Sequence, residues 1–178
     1  YKKKILIAGN HDTFMEGSRA GCFDNWNITY LCDSGTEFES LKIWGSPWSL
    51  WFDGINPHCK AFTGSENDLA KKYKKIPDDV DILITHCPPY GMQDYRPFTL
   101  EEKKRNFEEG YGSKSLAKRM EEIESENDRL LICGHIHEGY GVLSLSNFIH
   151  DKCIWQIINC SHVNEHYEPV NKPIRVIL

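Results

Sequence analysis

Three short stretches concentrate the residues that could do chemistry: Gly9-Asn10-His11-Asp12, Thr85-His86-Cys87-Pro88-Pro89, and Cys133-Gly134-His135-Ile136-His137. Asn10 offers a carbonyl oxygen, a donor suited to hard cations. His11 beside Asp12 is the pairing in which a carboxylate orients an imidazole and raises its pKa. His135 and His137, two residues apart and preceded by a glycine, can both reach one cation cluster, and imidazole suits Zn, Fe, Mn or Ni. Each stretch also has a plainer reading. Gly-Asn-His-Asp is rich in turn formers, and a single His after an apolar run is commonly a loop or core residue. Together, amide and imidazole donors without thiolate fit a catalytic metal site better than a structural one. A structural Cys/His zinc site is the weaker alternative. Cys87, Cys133 and Cys160 lie near these histidines, but their spacing matches no finger pattern, and Cys is commonly a small buried hydrophobe.

The elements that must carry these stretches are legible as apolar runs. Lys4–Ala8, Val80–Thr85 and Arg129–Cys133 are predicted buried strands, each running into one of the three polar stretches. Loops at the carboxyl ends of strands are where α/β sheets assemble sites, so three such loops, each with a His, predict one shared site. Ile28–Leu31, a turn at 33–35 and Thr36–Gly45 read as strand, turn, strand. Tyr140–Leu145, Cys153–Ile158 and Ile174–Leu178 are also strand-like. Ser65–Lys75 is a predicted helix: Ser65 can cap Asp68, the acids Glu66 and Asp68 come first, and Lys71, Lys72, Lys74 and Lys75 come last. Pro77 then stops it. Ser113–Glu126 is a second, with Leu116, Met120 and Ile123 on one face. The charges at 71–75 and 101–105 read as solvated faces.

Residues 46–63 form a loop rich in aromatics. Trp44, Trp48, Trp51 and Phe52 around its start could stack a nucleobase, but a long loop tied down by its own apolar cluster is the favoured reading. His162, Asn164 and His166 read first as turn and surface residues and second as a border of the pocket.

A chain of 178 residues suits one α/β domain with a real core. A net charge of −5 gives no pull toward nucleic-acid polymers or anionic membranes. The apolar runs are far short of the roughly 18 residues that span a bilayer. The seven cysteines are odd in number and contain no C-x-x-C pair, which favours a reducing compartment. A cytoplasmic protein without cleaved leader is the expectation.

In this order, Gly-Asn-His-Asp, a strand ending in His, and Gly-His-x-His resemble the motifs of the calcineurin-like metallophosphoesterase superfamily. "LKIWGSPWSLWF", "VDILITHCPPYG", "CGHIHEGYG" and "NCSHVNEHYEPVNKPIRVIL" are similar to its metallophosphoesterase domain-containing subfamily, the one with brain-expressed vertebrate members. The similarity runs along essentially the whole chain apart from a variable loop at about 95–112. It implies a four-layer αββα sandwich with mixed sheets and helices outside. It implies two divalent transition metal ions (Mn, Fe or Zn), with Asn10, His86 and His135 on one and His137 helping to hold the other. A hydroxide bridging the two would attack phosphorus. His11 would protonate the leaving oxygen and Asp12 would orient His11. The implied substrate is a small phosphoester, a phosphodiester or cyclic nucleotide among the options.

One departure matters. The superfamily's Asp-x-His and Gly-Asp-x-x-Asp motifs stand upstream of Gly-Asn-His, and residues 1–8 contain no Asp, Glu or His. The expectation is therefore one domain over 1–178 that lacks its N-terminal part, is weakly active, and binds metal mainly on the Asn10/His86/His135 side. The alternative is an impaired member that uses the fold to hold protein partners. The intact His11–Asp12 pair argues against it.

Overall fold

The computed structural model describes all residues except 19–21, 53–57, 95–109, 124–126, 148–151 and 178. Its strands are β1 (Ile5–Leu6), β2 (Thr29–Tyr30), β3 (Ser34–Phe38), β4 (Leu41–Ser46), β5 (Ser49–Leu50), β6 (Thr63–Gly64), β7 (Ile82–Thr85), β8 (Arg129–Cys133), β9 (Gly141–Asn147) and β10 (Lys152–Asn159). Its helices are α1 (Glu66–Tyr73) and α2 (Lys114–Glu122).

The main sheet runs β3-β4-β7-β8-β10-β9. β4, β7, β8 and β10 are parallel, and β3 and β9 are antiparallel edges. Side chains alternate across a strand, and here that alternation builds two cores. Leu83, Leu131, Cys133, Trp155 and Ile157 point to one face and pack with Leu69, Tyr73, Leu116 and Met120 of the two helices. Ile43, Ile82, Leu130 and Ile158 point to the other, where they meet Leu31 and are flanked by Ile5, Ile7, Ile174 and Val176. The parallel pair β1–β2 forms a small second sheet over that face. The fold is thus the mixed-sheet α/β sandwich, with one helical layer, the main sheet and a small second sheet in the described residues.

The helices begin where the sequence places them. Ser65 and Asp68 form a reciprocal capping box on α1, and the Ser113 hydroxyl accepts from the Leu116 amide at the start of α2. Glu66 ties the two together. Its carboxylate accepts from the amides of Lys114 and Ser115 at 2.7 and 3.1 Å and from the hydroxyls of Ser113 and Ser115 at 3.0 and 2.6 Å. The first residue of one helix therefore caps the other.

The segment Thr36–Gly45 is not one strand but a hairpin, β3 and β4 joined at Glu39-Ser40. Both residues have positive φ, 49° and 70°, as a two-residue turn matching strand twist requires. Glu-Ser lacks the Asn-Gly or Asp-Gly signature of that turn, so the composition reads straight through it. Residues 174–177 are also not a strand. Ile174 and Val176 turn inward and Arg175 and Ile177 outward, so the segment has the alternation of a strand because it lies on the sheet, without joining a ladder. The loop from 46 holds the short parallel pair β5–β6. Lys72 departs from the solvated reading: its ammonium lies 3.7 Å from the Trp48 ring centre and 3.7 Å from the buried Asp33 carboxylate. The second helix ends at Glu122, where Ile123 turns to an extended backbone, short of the expected Glu126; residues 124–126 and the charges at 101–105 lie outside the described residues. Among the described residues no helix is long and apolar enough to cross a membrane.

Candidate metal centre

The topology converges on one rim. β7 ends at Thr85 and delivers His86. β8 ends at Cys133 and delivers His135 and His137. β1 leads into Gly9 and Asn10. These strand ends open into a cavity of about 510 Å³ lined by Asn10, His11, His86, His135 and His137. Phe52, Tyr111, His162 and Tyr167 complete its walls.

At the floor, His86 Nε2–H donates to Asn10 Oδ1 at 2.8 Å. The His86 and His135 rings stand 4.6 Å apart between centroids, tilted by 56°. Gly9 makes this approach possible: a Cβ there would lie 2.5 Å from His86 Cε1 and 2.8 Å from His86 Nε2. Burial, then the neighbouring His135, His11 and His137, hold His86 far below the usual imidazole pKa. Burial, then His137 and His11, push His135 down to about 4. Both rings are therefore neutral near pH 7, the form that offers a lone pair to a metal.

His137 is fixed by its other nitrogen. Nδ1–H donates to the Asn164 carbonyl at 3.0 Å, which leaves Nε2 as the free lone pair, the arrangement common in metal-bound histidines. Tyr167 meets the same ring edge-on at 5.2 Å and His11 at 6.5 Å.

His11 lines the cavity, but Asp12 does not. The Asp12 carboxylate accepts from the Gly9 amide at 2.7 Å, and its own amide donates to the Gly9 carbonyl at 3.0 Å. Asp12 thus braces the turn that presents Asn10 and His11. The atom facing His11 Nδ1 is Cys59 Sγ, at 3.2 Å. The nearest partner of that nitrogen is thus a thiol 48 residues away in sequence rather than the neighbouring carboxylate.

The residues expected to hold one cation lie on the same cavity wall. Asn10 Oδ1, His86 and His135 supply one amide oxygen and two neutral imidazoles, and a shift of the His86 proton to Nδ1 frees Nε2 beside Oδ1. For a second ion the described residues supply His137 alone of the expected ligands. Among the described residues no three His, Cys, Asp or Glu side chains close on a single point. The cysteine alternative mixes an exposed thiol, Cys160, with two core thiols. Cys87 and Cys133 belong to the core, where burial pushes the Cys87 thiol up to about 12 and holds Cys133 well above its ordinary value. The six described cysteines are all unpaired.

The aromatic stretch divides. Trp44 and Trp48 pack on the core, Trp48 stacks edge-on with Phe62 at 5.7 Å, and Lys60 covers Trp51. Phe52 instead faces the cavity beside Tyr111, 5.5 Å away. His162 borders the cavity, whereas Asn164 organises a turn by accepting from the amides of His166 and Glu168. His166 is exposed. Cys59, Tyr111 and Tyr167 come from loops without periodicity, and nothing in their spacing distinguishes them.

Residues 1–139 match the model of the calcineurin-like phosphoesterase family. The chain is 32% identical over 205 residues to metallophosphoesterase domain-containing protein 1 of Homo sapiens and of Mus musculus, covering 100% of this chain and 56% of theirs. It is 29% identical to a UPF0046 protein of Caenorhabditis elegans, over 98% of this chain and 57% of that one. The chain thus spans about half the length of the curated relatives it matches. Among solved structures it is similar to TT1561 of Thermus thermophilus, with a TM-score of 0.53, 11% identity, and 88% and 62% of the two chains covered. Another solved chain aligns with a TM-score of 0.58 at 15% identity, over 89% of this chain and 57% of that one.

Proposed function

Because the chain belongs to the calcineurin-like phosphoesterase family, we propose that it serves the hydrolysis of small phosphodiesters, cyclic nucleotides among them. The observation that carries this reading is the cavity itself. Asn10, His11, His86, His135 and His137 reach one space from three separate strand ends.

In this reading Asn10, His86 and His135 hold a divalent transition metal ion, and His137 serves a second. The bound metals would supply an activated water and neutralise phosphoryl charge. The chain's own residues do the rest. Gly9 lets His86 close on Asn10. Asn164 sets the tautomer of His137. His11, exposed at the cavity wall, protonates the leaving oxygen as general acid. Phe52 and Tyr111 offer an aromatic wall for the substrate's organic part. The odd count of seven cysteines, with no C-x-x-C pair, supports a reducing, cytoplasmic setting in this reading.

The test is Mn²⁺ and Zn²⁺ titration of the purified chain, reading bound metal and hydrolysis of bis(p-nitrophenyl) phosphate in parallel. Metal-dependent turnover is expected, with His11→Ala lowering hydrolysis of an alkyl phosphodiester, whose leaving oxygen needs a proton, by roughly 10²–10⁴-fold, and of the nitrophenyl ester much less, while bound metal is kept. Metal binding without turnover in the wild type would move the reading to a scaffold that holds protein partners.

A further inference from the structure

The structure assigns Asn159 as the positioning residue for His135. His135 is not a glycine, yet its φ is +68°. The Ile136 amide donates to the Gly134 carbonyl at 2.7 Å, an i to i+2 bond with positive φ at the centre. That is the rarer, strained form of γ-turn. A side chain persists there only where its surroundings over-determine the backbone.

Asn159 supplies that surrounding. It is fully buried at the end of β10, in register with Cys133 at the end of β8, so a sheet strand fixes its backbone. Its Nδ2 donates to the Ile136 carbonyl at 2.7 Å and the Gln93 carbonyl at 3.0 Å, with the Gly134 carbonyl at 3.5 Å. Its Oδ1 accepts from the Ser161 amide at 3.1 Å and the Ser161 hydroxyl at 2.8 Å. One amide therefore holds the carbonyl just past His135, lies against the one just before it, and ties the turn to the loop after β7. The grip needs a donor and an acceptor on one short side chain, which Asn has and Asp, Leu or Ala lacks. Gly139 closes the same knot, since a Cβ there would lie 2.0 Å from the Gln93 carbonyl and 2.9 Å from Asn159 Nδ2. The product of this bracing is the His135 ring held against His86. Its value to catalysis rests on the metal-site reading above; the strained turn does not.

A thermal cycle on the metal-free chain tests the brace. His135→Gly and His135→Ala are compared in the native background and again with Asn159→Asp, which removes the Nδ2 donors. Glycine ordinarily melts lower than alanine because its unfolded chain has more freedom. Here His135→Gly should melt higher than His135→Ala, because glycine adopts positive φ without a Cβ clash. With Asn159→Asp that advantage should vanish, since the turn relaxes. A glycine advantage absent in the native background, or equally large in both, overturns the brace. Asn159→Ala, which lacks donor and acceptor alike, carries the cycle if Asn159→Asp does not fold. In parallel, Mn²⁺ affinity should fall roughly 10–100-fold in the folded Asn159 variant, as for other residues that orient a ligand. Mn²⁺ binding that is indifferent to His135→Ala would count against His135 as a ligand and leave the thermal cycle to decide on Asn159.

Discussion

Asn10 Oδ1 accepts a hydrogen bond from His86 Nε2 at 2.8 Å across 76 residues of sequence. Both atoms face the cavity floor rather than the core. Asn10 stands in the turn after β1, and His86 stands one residue past its strand. With the His86 proton moved to Nδ1, the same two atoms can face one cation. His86→Ala should therefore lower bound Mn²⁺ or Zn²⁺, and Asn10→Ala should do so less, because an amide oxygen is the weaker donor. Metal content after equilibrium dialysis checks both. Stoichiometry unchanged by His86→Ala would remove it from the ligand set.

Gly9→Ala tests how tightly that pair is held. The new Cβ would fall 2.5 to 2.8 Å from three atoms of the His86 ring, so the ring or the turn must move. Overpacking of this kind costs about 1–3 kcal/mol. Urea unfolding should show that loss, and metal affinity should fall with it. Full stability with full metal affinity would mean that the His86 ring is free to swing aside.

The sulfur at His11 makes a separate prediction. Cys59 Sγ faces Nδ1 at 3.2 Å, and the His11 side chain lines the cavity. Cys59→Ala should lower turnover of alkyl phosphodiesters, whose leaving oxygens need a proton, more than turnover of nitrophenyl esters. Cys59→Ser should restore most of the difference, because a hydroxyl can also partner Nδ1. Equal losses on both ester classes would assign Cys59 to loop packing alone.

How much of this is legible in the sequence depends on the kind of residue. Asn10, His86, His135 and His137 are readable because each follows an apolar run, and the strand ends of the main sheet and of the small sheet over it open on one rim. The capping of α1 is readable because Ser65 and Asp68 are local. Cys59 and Tyr167 are not, because loop residues reach the site through long-range packing that leaves no period in the sequence. Asp12 finds a partner other than the one adjacency suggests, for a related reason. Adjacency to His11 suggests a pair, but in a tight turn a carboxylate finds the backbone amide three residues back before it finds a neighbouring ring. The Glu39-Ser40 turn is hidden because neither residue advertises positive φ.

Glu66 makes the last prediction, one of pH. Its carboxylate receives four donors at the start of α2, two amides and two hydroxyls. Burial alone would raise its pKa, but the bonds from the Ser115 hydroxyl, the Lys114 and Ser115 amides and the Ser113 hydroxyl outweigh it, so the carboxyl titrates below its ordinary value of 4.5. A carboxyl depressed in the folded state stabilises the fold fully above its unfolded pKa and loses that contribution as pH falls through the folded one. Glu66→Gln should therefore cost on the order of 1 kcal/mol at pH 7, allowing for partial exposure, or a few degrees of melting temperature. The gap between wild type and variant should close below about pH 4.5, because protonated Glu66 and Gln are then alike in charge. Other depressed carboxyls, Asp68 and Asp79 among them, are common to both proteins and cancel in the difference. Melting curves of the two proteins from pH 7 to pH 3 measure the gap, and a gap that stays constant over that range would show that Glu66 acts by shape and packing rather than by charge.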